Sequence, residues 1–255
     1  QTLKYDRTNL YSFTAEPGWA LLTWISQELR MGIVGINLFS SLIFFTSLII
    51  LLNRSKDFWL SVIICIPYLI IIVSMGYVRQ SIALSFFMIA IAKILENNDN
   101  KTFYFIFFIM IGATFHRSLF LMLPFIFFLN KKIFSIKNIF LGIIIFLFVL
   151  LYFKDIFIGS LYTNYIKQKA ITGMHSGGAL PRIILNFIPA LIYVLIYNKI
   201  KKEDRNIVFL AMSILTIFCL FFIQIGTTAI DRISLYLMPI QFILWPIIIN
   251  RFDQT

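Results

Sequence analysis

Long, unbroken apolar runs are the feature that most limits how this chain can fold. A half-buried strand, or a barrel strand facing lipid, alternates apolar and polar residues. A continuous run has no polar side to turn to water, so it is buried all round or sits in lipid. Such runs recur along nearly the whole chain, with short polar loops between them. Hydrophobic residues make up 60% of the sequence and charged residues 13%, and the mean hydropathy is +0.90. A soluble domain of this length could not hide that much apolar surface. In a bilayer, a helix satisfies its backbone groups within one segment. The sequence therefore predicts an all-α protein, a polytopic transmembrane helical bundle forming a single membrane domain across 1–255.

The runs predict spans near 33–52, 58–75, 80–95, 102–115, 117–129, 139–153, 183–197, 207–225 and 233–249. A crossing takes about 20 helical residues, so several of these are short broken helices. Joining 102–128 into one helix would put His116 and Arg117 at mid-span. Insertion there costs about 2.5–3.5 kcal/mol for an arginine, whereas a break moves both residues to an interface. With that break, Arg54, Lys56, Lys93, Lys101, Lys131, Lys132, Lys137, Lys199, Lys201, Lys202, Arg205 and Arg251 gather on one side. By the positive-inside rule that side is cytoplasmic. The segment 1–32, Arg79, His116, Arg117, the loop 154–182 and Asp231-Arg232 then fall on the outer face. Within 1–32, the stretch 19–26 with Trp19 and Trp24 predicts an outer-face re-entrant or interfacial helix. Residues 33–249 form the transmembrane bundle, and a first transmembrane helix is expected to be missing ahead of Gln1. The glycines of 173–178 suit a flexible lid.

The formal net charge of +11 suits basic loops and a use for anions. Nucleic acid is excluded as a partner, because the lysines sit in short loops and form no stripe. Cys65 and Cys219 lie inside apolar runs and read as packing residues. No phosphate-binding loop, dinucleotide fingerprint, zinc-protease motif or acidic metal pair is present, so neither a cofactor nor a metal is expected.

Arg79 and Gln80 follow Gly76 at the head of an apolar helix. Helix N-termini favour anions, and a guanidinium grips phosphate in two-pronged fashion. The plainer alternative is an arginine reaching to lipid headgroups. His116 at the break is a donor to phosphate or sugar, a proton acceptor, or simply a buried cap on the broken helix. Arg117 points to another face. Asp231 and Arg232, ahead of the last span, either neutralise each other or divide their roles. In a divided arrangement Arg232 meets an anion, and Asp231 meets a hydroxyl or a neighbouring arginine, with Tyr236 one turn on. Arg182, after Pro181, opens another span in the manner of Arg79, whereas Lys167 and Lys169 read as solvated loop charges. The outer acidic residues are Asp6, Glu16, Glu28, Asp155 and Asp231. Glu16, just before Pro17, is a charge near a helix start or a base where a membrane-surface substrate arrives. Tyr5, Tyr11, Trp19 and Tyr77 are interface-belt aromatics or platforms for sugars.

Four pieces in order carry a family resemblance. They are Asp6 to Tyr11 followed by Glu16-Pro17-Gly18-Trp19; Val78-Arg79-Gln80-Ser81-Ile82-Ala83; Ala113-Thr114-Phe115-His116-Arg117-Ser118; and Asp231-Arg232-Ile233-Ser234-Leu235-Tyr236. Together they resemble the Wzy-type repeat-unit polymerases of O-antigen, capsule and exopolysaccharide synthesis, in the EpsG-like branch. The resemblance implies a glycosyltransferase of the bacterial inner membrane that joins undecaprenyl-diphosphate-linked glycan units at the periplasmic face. It implies Arg79, Gln80, Arg232 and Arg182 on diphosphate, and His116, Glu16, Asp231 and Asp6 as catalytic residues, with Glu16 the first choice of base. A single inverting displacement needs no covalent intermediate, and arginines that neutralise the leaving group remove the need for a metal. The partners implied are the lipid bilayer, the lipid-linked glycans, and a chain-length regulator and flippase of the same pathway. The rival readings are an O-antigen ligase, a membrane acyltransferase and a lipid-linked-sugar transporter.

Overall fold

The computed structural model describes residues 16–96, 99–129, 179–222 and 227–252. The expected span 139–153, the lid at 173–178, Asp6, Asp155, Lys167, Lys169, Tyr5 and Tyr11 lie outside the described residues. Every regular element among the described residues is helical. In chain order they are α1 (Pro17–Glu28), α2 (Gly32–Leu52), α3 (Phe58–Cys65), α4 (Val78–Leu95) and α5 (Lys101–Ala113). Then come α6 (Arg117–Phe128), α7 (Ala179–Ile196), α8 (Ile207–Phe222), α9 (Thr227–Leu237) and α10 (Pro239–Phe252).

Helix α4 is the axis of the assembly. Residues on all its sides are buried, from Gln80 and Ser81 through Phe87 to Ile94. It packs chiefly against α2 and α5. Small residues let those backbones approach: a Cβ on Gly112 would meet Leu119 at 2.4 Å and the Ala83 carbonyl oxygen at 3.1 Å. Helix α2 is the opposite case, burying one side and exposing Ile33, Leu42 and Ile49. Both α2 and α4 are long and apolar enough to cross a membrane. The pair Ile230–Leu237 and Pro239–Phe252 would make a third crossing if counted as one bent span. Phe58–Ser74, Lys101–Ala113, Arg117–Phe128, Leu180–Ile196 and Ile207–Phe221 are apolar but shorter.

Three elements differ from the sequence reading, each at a proline. The span 58–75 is α-helical only to Cys65 and then winds as a wider π-helix over Ile66–Ser74. Pro67 lies in its first turn and removes one backbone donor. The segment after His116 winds as a tighter 3-10 helix, with Pro124 inside it. The span 233–249 is not straight: α9 and α10 meet at 49° across Met238, where Pro239 starts the second helix. Asp231 and Arg232 accordingly sit inside α9, which begins at Thr227, and not ahead of a span.

Candidate functional site

The start of α4 is the foundation of the site. No side chain caps this helix, so Arg79 and Gln80 stand in an open first turn whose backbone N–H groups lack intrahelical partners. Both line a cavity of about 480 Å³ together with Glu16, Trp19, Tyr77, His116 and Arg232. Ile33 and Ile36 of α2 form its apolar side.

Helix α1 brings Glu16 and Trp19. Its docking is local and tight: the Gly18 N–H donates to the Thr114 carbonyl at 2.9 Å. A Cβ on Gly18 would lie 2.3 Å from Thr114 Oγ1, so only glycine allows that approach. Glu16 Oε2 then stands 3.7 Å from Arg79 Nη1, and Oε1 4.0 Å from Arg117 Nε. The Arg117 backbone N–H also donates to Glu16 Oε1 at 3.3 Å. The Arg79 guanidinium lies over the Trp19 ring, 5.1 Å from its centre. Arg79 keeps more than half its side chain exposed, whereas Glu16 is largely covered.

The break between α5 and α6 brings His116. Its backbone is extended, and its ring caps the next helix by accepting the Ser118 N–H at Nδ1, 3.4 Å away. A backbone N–H can only donate, so Nδ1 carries a lone pair. The Ser118 hydroxyl then donates to the same nitrogen at 2.5 Å, and the Tyr236 hydroxyl, 2.9 Å from Ser118 Oγ, donates in turn to the serine. This network assigns the ring proton to Nε2. Burial, and then the positive charges of Arg232, Arg79 and Arg117, push the His116 pKa down to about 3. The residue is a neutral donor at ordinary pH. Capping and a place in the cavity, which the sequence offered as alternatives, are combined in one side chain.

Arg232 reaches the cavity from α9 and donates through Nη1 to Gln80 Oε1. That contact fixes the amide orientation, so Gln80 Nε2 is a donor. Gln80 Nε2 and Arg232 Nε are both buried without a hydrogen-bond partner. Two unpartnered buried donors beside an open cavity suit an oxygen-rich anion.

Asp231 and Arg232 do not neutralise each other. Asp231 accepts from Arg182 Nη1 at 2.6 Å, and both side chains are fully buried. Arg182 thus departs from the expected likeness to Arg79: it lies in a closed ion pair, under the rings of Tyr68 and Tyr77 at 5.4 and 5.1 Å. Tyr77 is shared, since the Arg232 guanidinium stands 5.7 Å from the same ring. Nearby, Asn186 donates to the Ser234 carbonyl at 2.7 Å and accepts from Gln241.

Of the residues expected from sequence, Glu16, Arg79, Gln80, His116 and Arg232 come together around one cavity. Arg182 and Asp231 form the buried pair behind it. Sequence reasoning missed the parts played by Tyr68, Ser118, Asn186 and Gln241. Ser118 lay within a quoted motif, and its spacing of two from His116 was the available signal.

The sequence model of one family, described as the EpsG family, matches residues 2–255. No curated protein matches the chain, and no solved structure does.

Proposed function

The chain belongs to the EpsG family of membrane proteins of polysaccharide biosynthesis, and on that premise we propose that it is a glycosyltransferase polymerising undecaprenyl-diphosphate-linked glycan units at the outer face of the bacterial inner membrane. The observation that carries this reading is the make-up of the cavity. Two arginines, a glutamine and a neutral donor histidine surround a single carboxylate. Such a set suits a leaving diphosphate beside a hydroxyl that must lose its proton.

The acceptor hydroxyl oxygen attacks the anomeric carbon of the donor. The bond from that carbon to the diphosphate oxygen breaks, and its electron pair departs with the lipid diphosphate. Arg232, Gln80 and Arg79 receive the growing negative charge, and His116 adds a hydrogen bond through its Nε2–H. The hydroxyl proton passes to Glu16. Until substrate arrives, Glu16 lies near Arg79 and Arg117. A diphosphate that engages Arg79 competes with Glu16 for this cation and frees the carboxylate to act as base. Asp231, closed in its pair with Arg182, is less suited to that role.

The test is to incubate purified protein with lipid-linked repeat units and separate the products by length. A ladder of multiples is the expected result. Recovery of single units alone from the wild type would sink the reading, and transfer only to a different acceptor would point to a ligase. Glu16→Gln should stop the ladder while leaving binding of the lipid-linked unit intact. A normal ladder from that variant removes Glu16 from the mechanism.

A further inference from the structure

A second cavity lies at the other end of the molecule. Helix α4 spans about 27 Å at 1.5 Å per residue. Arg79 opens it and Lys93 closes it. Lys93 and Arg54 both pair with Glu96, at 2.8 and 2.7 Å, which fixes the turn before α3 at this far end. Here Lys56, Lys201, Asp204, Asn250 and Arg251 line a pocket of about 180 Å³. A water takes roughly 30 Å³ in the liquid, so the pocket has room for a phosphate group and the atoms next to it.

Charge and rigidity give the pocket its character. Lys56 is held by Asp204 at 2.9 Å and by Glu203 at 3.6 Å. Among the described residues, the side chains of Lys201 and Arg251 have no hydrogen-bond or ion-pair partner. Three cations against Asp204 leave the lining net positive. The segment that carries Lys201 and Asp204 is pre-organised. Arg205 folds back to donate to the carbonyls of Ile200 at 3.0 Å and Asn198 at 2.6 Å. The Tyr193 hydroxyl donates to the Asp204 carbonyl at 3.0 Å and accepts the Asn206 N–H at 3.2 Å. Ile200 and Ile247 give the same lining an apolar side. A net positive notch with an apolar side, in a chain whose helices expose apolar surface, fits an amphiphile with an anionic head.

We propose that this pocket binds the headgroup of an anionic phospholipid, its phosphate on Lys201 and Arg251. Basic pockets between helices are a recurring way to hold such headgroups. Lys56 contributes less, because Asp204 already holds it. The site is separate from the cavity at the start of α4 and stands whether or not that cavity polymerises glycans.

The experiment places the wild-type chain in bilayer discs of phosphatidylcholine with a minor share of phosphatidylglycerol. Bound lipids are then counted by native mass spectrometry. The wild type should enrich phosphatidylglycerol, and Lys201→Gln and Arg251→Gln should each cut that enrichment roughly 5-fold, the worth of one cation at an anionic surface. The double variant should show none, and Lys201→Arg with Arg251→Lys should restore it. Unchanged helical circular dichroism in the double variant separates a lost site from a lost fold. A wild type without enrichment, or a double variant that keeps it, overturns the proposal. Titration with inorganic phosphate followed by phosphorus NMR distinguishes the sources of the anion. Phosphate binding that the double variant loses, with lipid enrichment unmoved, would make the ligand a free phosphate and overturn the lipid assignment.

Discussion

The turn around Glu96 that closes α4 and the cavity that opens it both gather cations and treat them in opposite ways. At the Lys93 end, Arg54 and Lys93 share Glu96, and Lys56 has Asp204 and Glu203. The hydrogen bond from Lys93 and the charges around Glu96 hold its carboxyl below the usual range. At the Arg79 end, Arg79, Arg117 and Arg232 stand around one carboxylate, Glu16, beside the neutral His116, with two buried donors left unpartnered. Charges that meet their partners hold a fold together. Charges left in excess around a cavity await something else. The lesson is that cations left without carboxylate partners, more than the number of cations, mark a candidate binding site, at this cavity as at Lys201 and Arg251.

That comparison can be broken by substitution. The largest expected effect is at the buried pair behind the site. Arg182→Ala breaks a buried ion pair, at a cost of about 3–5 kcal/mol. It should show as a sharp drop in membrane-extracted folded protein, by fluorescence-detected gel filtration. Next comes Arg232→Ala, which should lower the rate of ladder formation about 10²–10³-fold while folded yield stays normal. A normal rate would mean that the excess charge has no catalytic use.

A smaller effect concerns pH. The His116 pKa falls from an ordinary 6.5 to about 3 on folding. Between these values the unfolded chain holds a proton that the folded chain lacks. Its contribution to stability is therefore full above pH 6.5 and declines as pH falls towards 3, by at most about 1.4 kcal/mol per unit. Melting temperatures of wild type and His116→Gln, followed from pH 7 to 5, should diverge in pH dependence, the wild type losing more. Parallel curves would mean that His116 is not held neutral. The smallest effect belongs to the paired end. Arg54→Gln removes an exposed ion pair worth about 1 kcal/mol or less and should leave the ladder unchanged.

The sequence was most informative where local chemistry is decisive. Pro17 marked the start of α1, Gly76 marked the turn before α4, and the polar pair His116-Arg117 marked the break between α5 and α6. It was least informative where partners are distant in the chain. Arg182 and Asp231 are 49 residues apart, so nothing in their neighbourhoods announces the pair. Arg79 and Arg182 look alike in sequence, each near the head of an apolar helix. Packing against α9 and the two tyrosines gives one a closed pair, and the α1 docking gives the other an open cavity. The bend at Met238 was hidden for another reason: hydrophobicity runs through Pro239 unbroken, so composition marked no boundary.

The wide winding of Ile66–Ser74 has a consequence for how this chain tolerates insertion and deletion. Tyr68 lies within this winding and Tyr77, with a non-helical backbone, stands at the turn just beyond it, and both cover Arg182. The broader turns between Ile66 and Ser74 hold more residues than α-helical turns would, in effect storing a surplus residue ahead of Tyr77. Loss of one residue there should shorten the run that leads to Tyr77 and shift its approach to Arg182 and Arg232. The segment is apolar, and it is a spacer whose length sets where Tyr77 meets the two arginines.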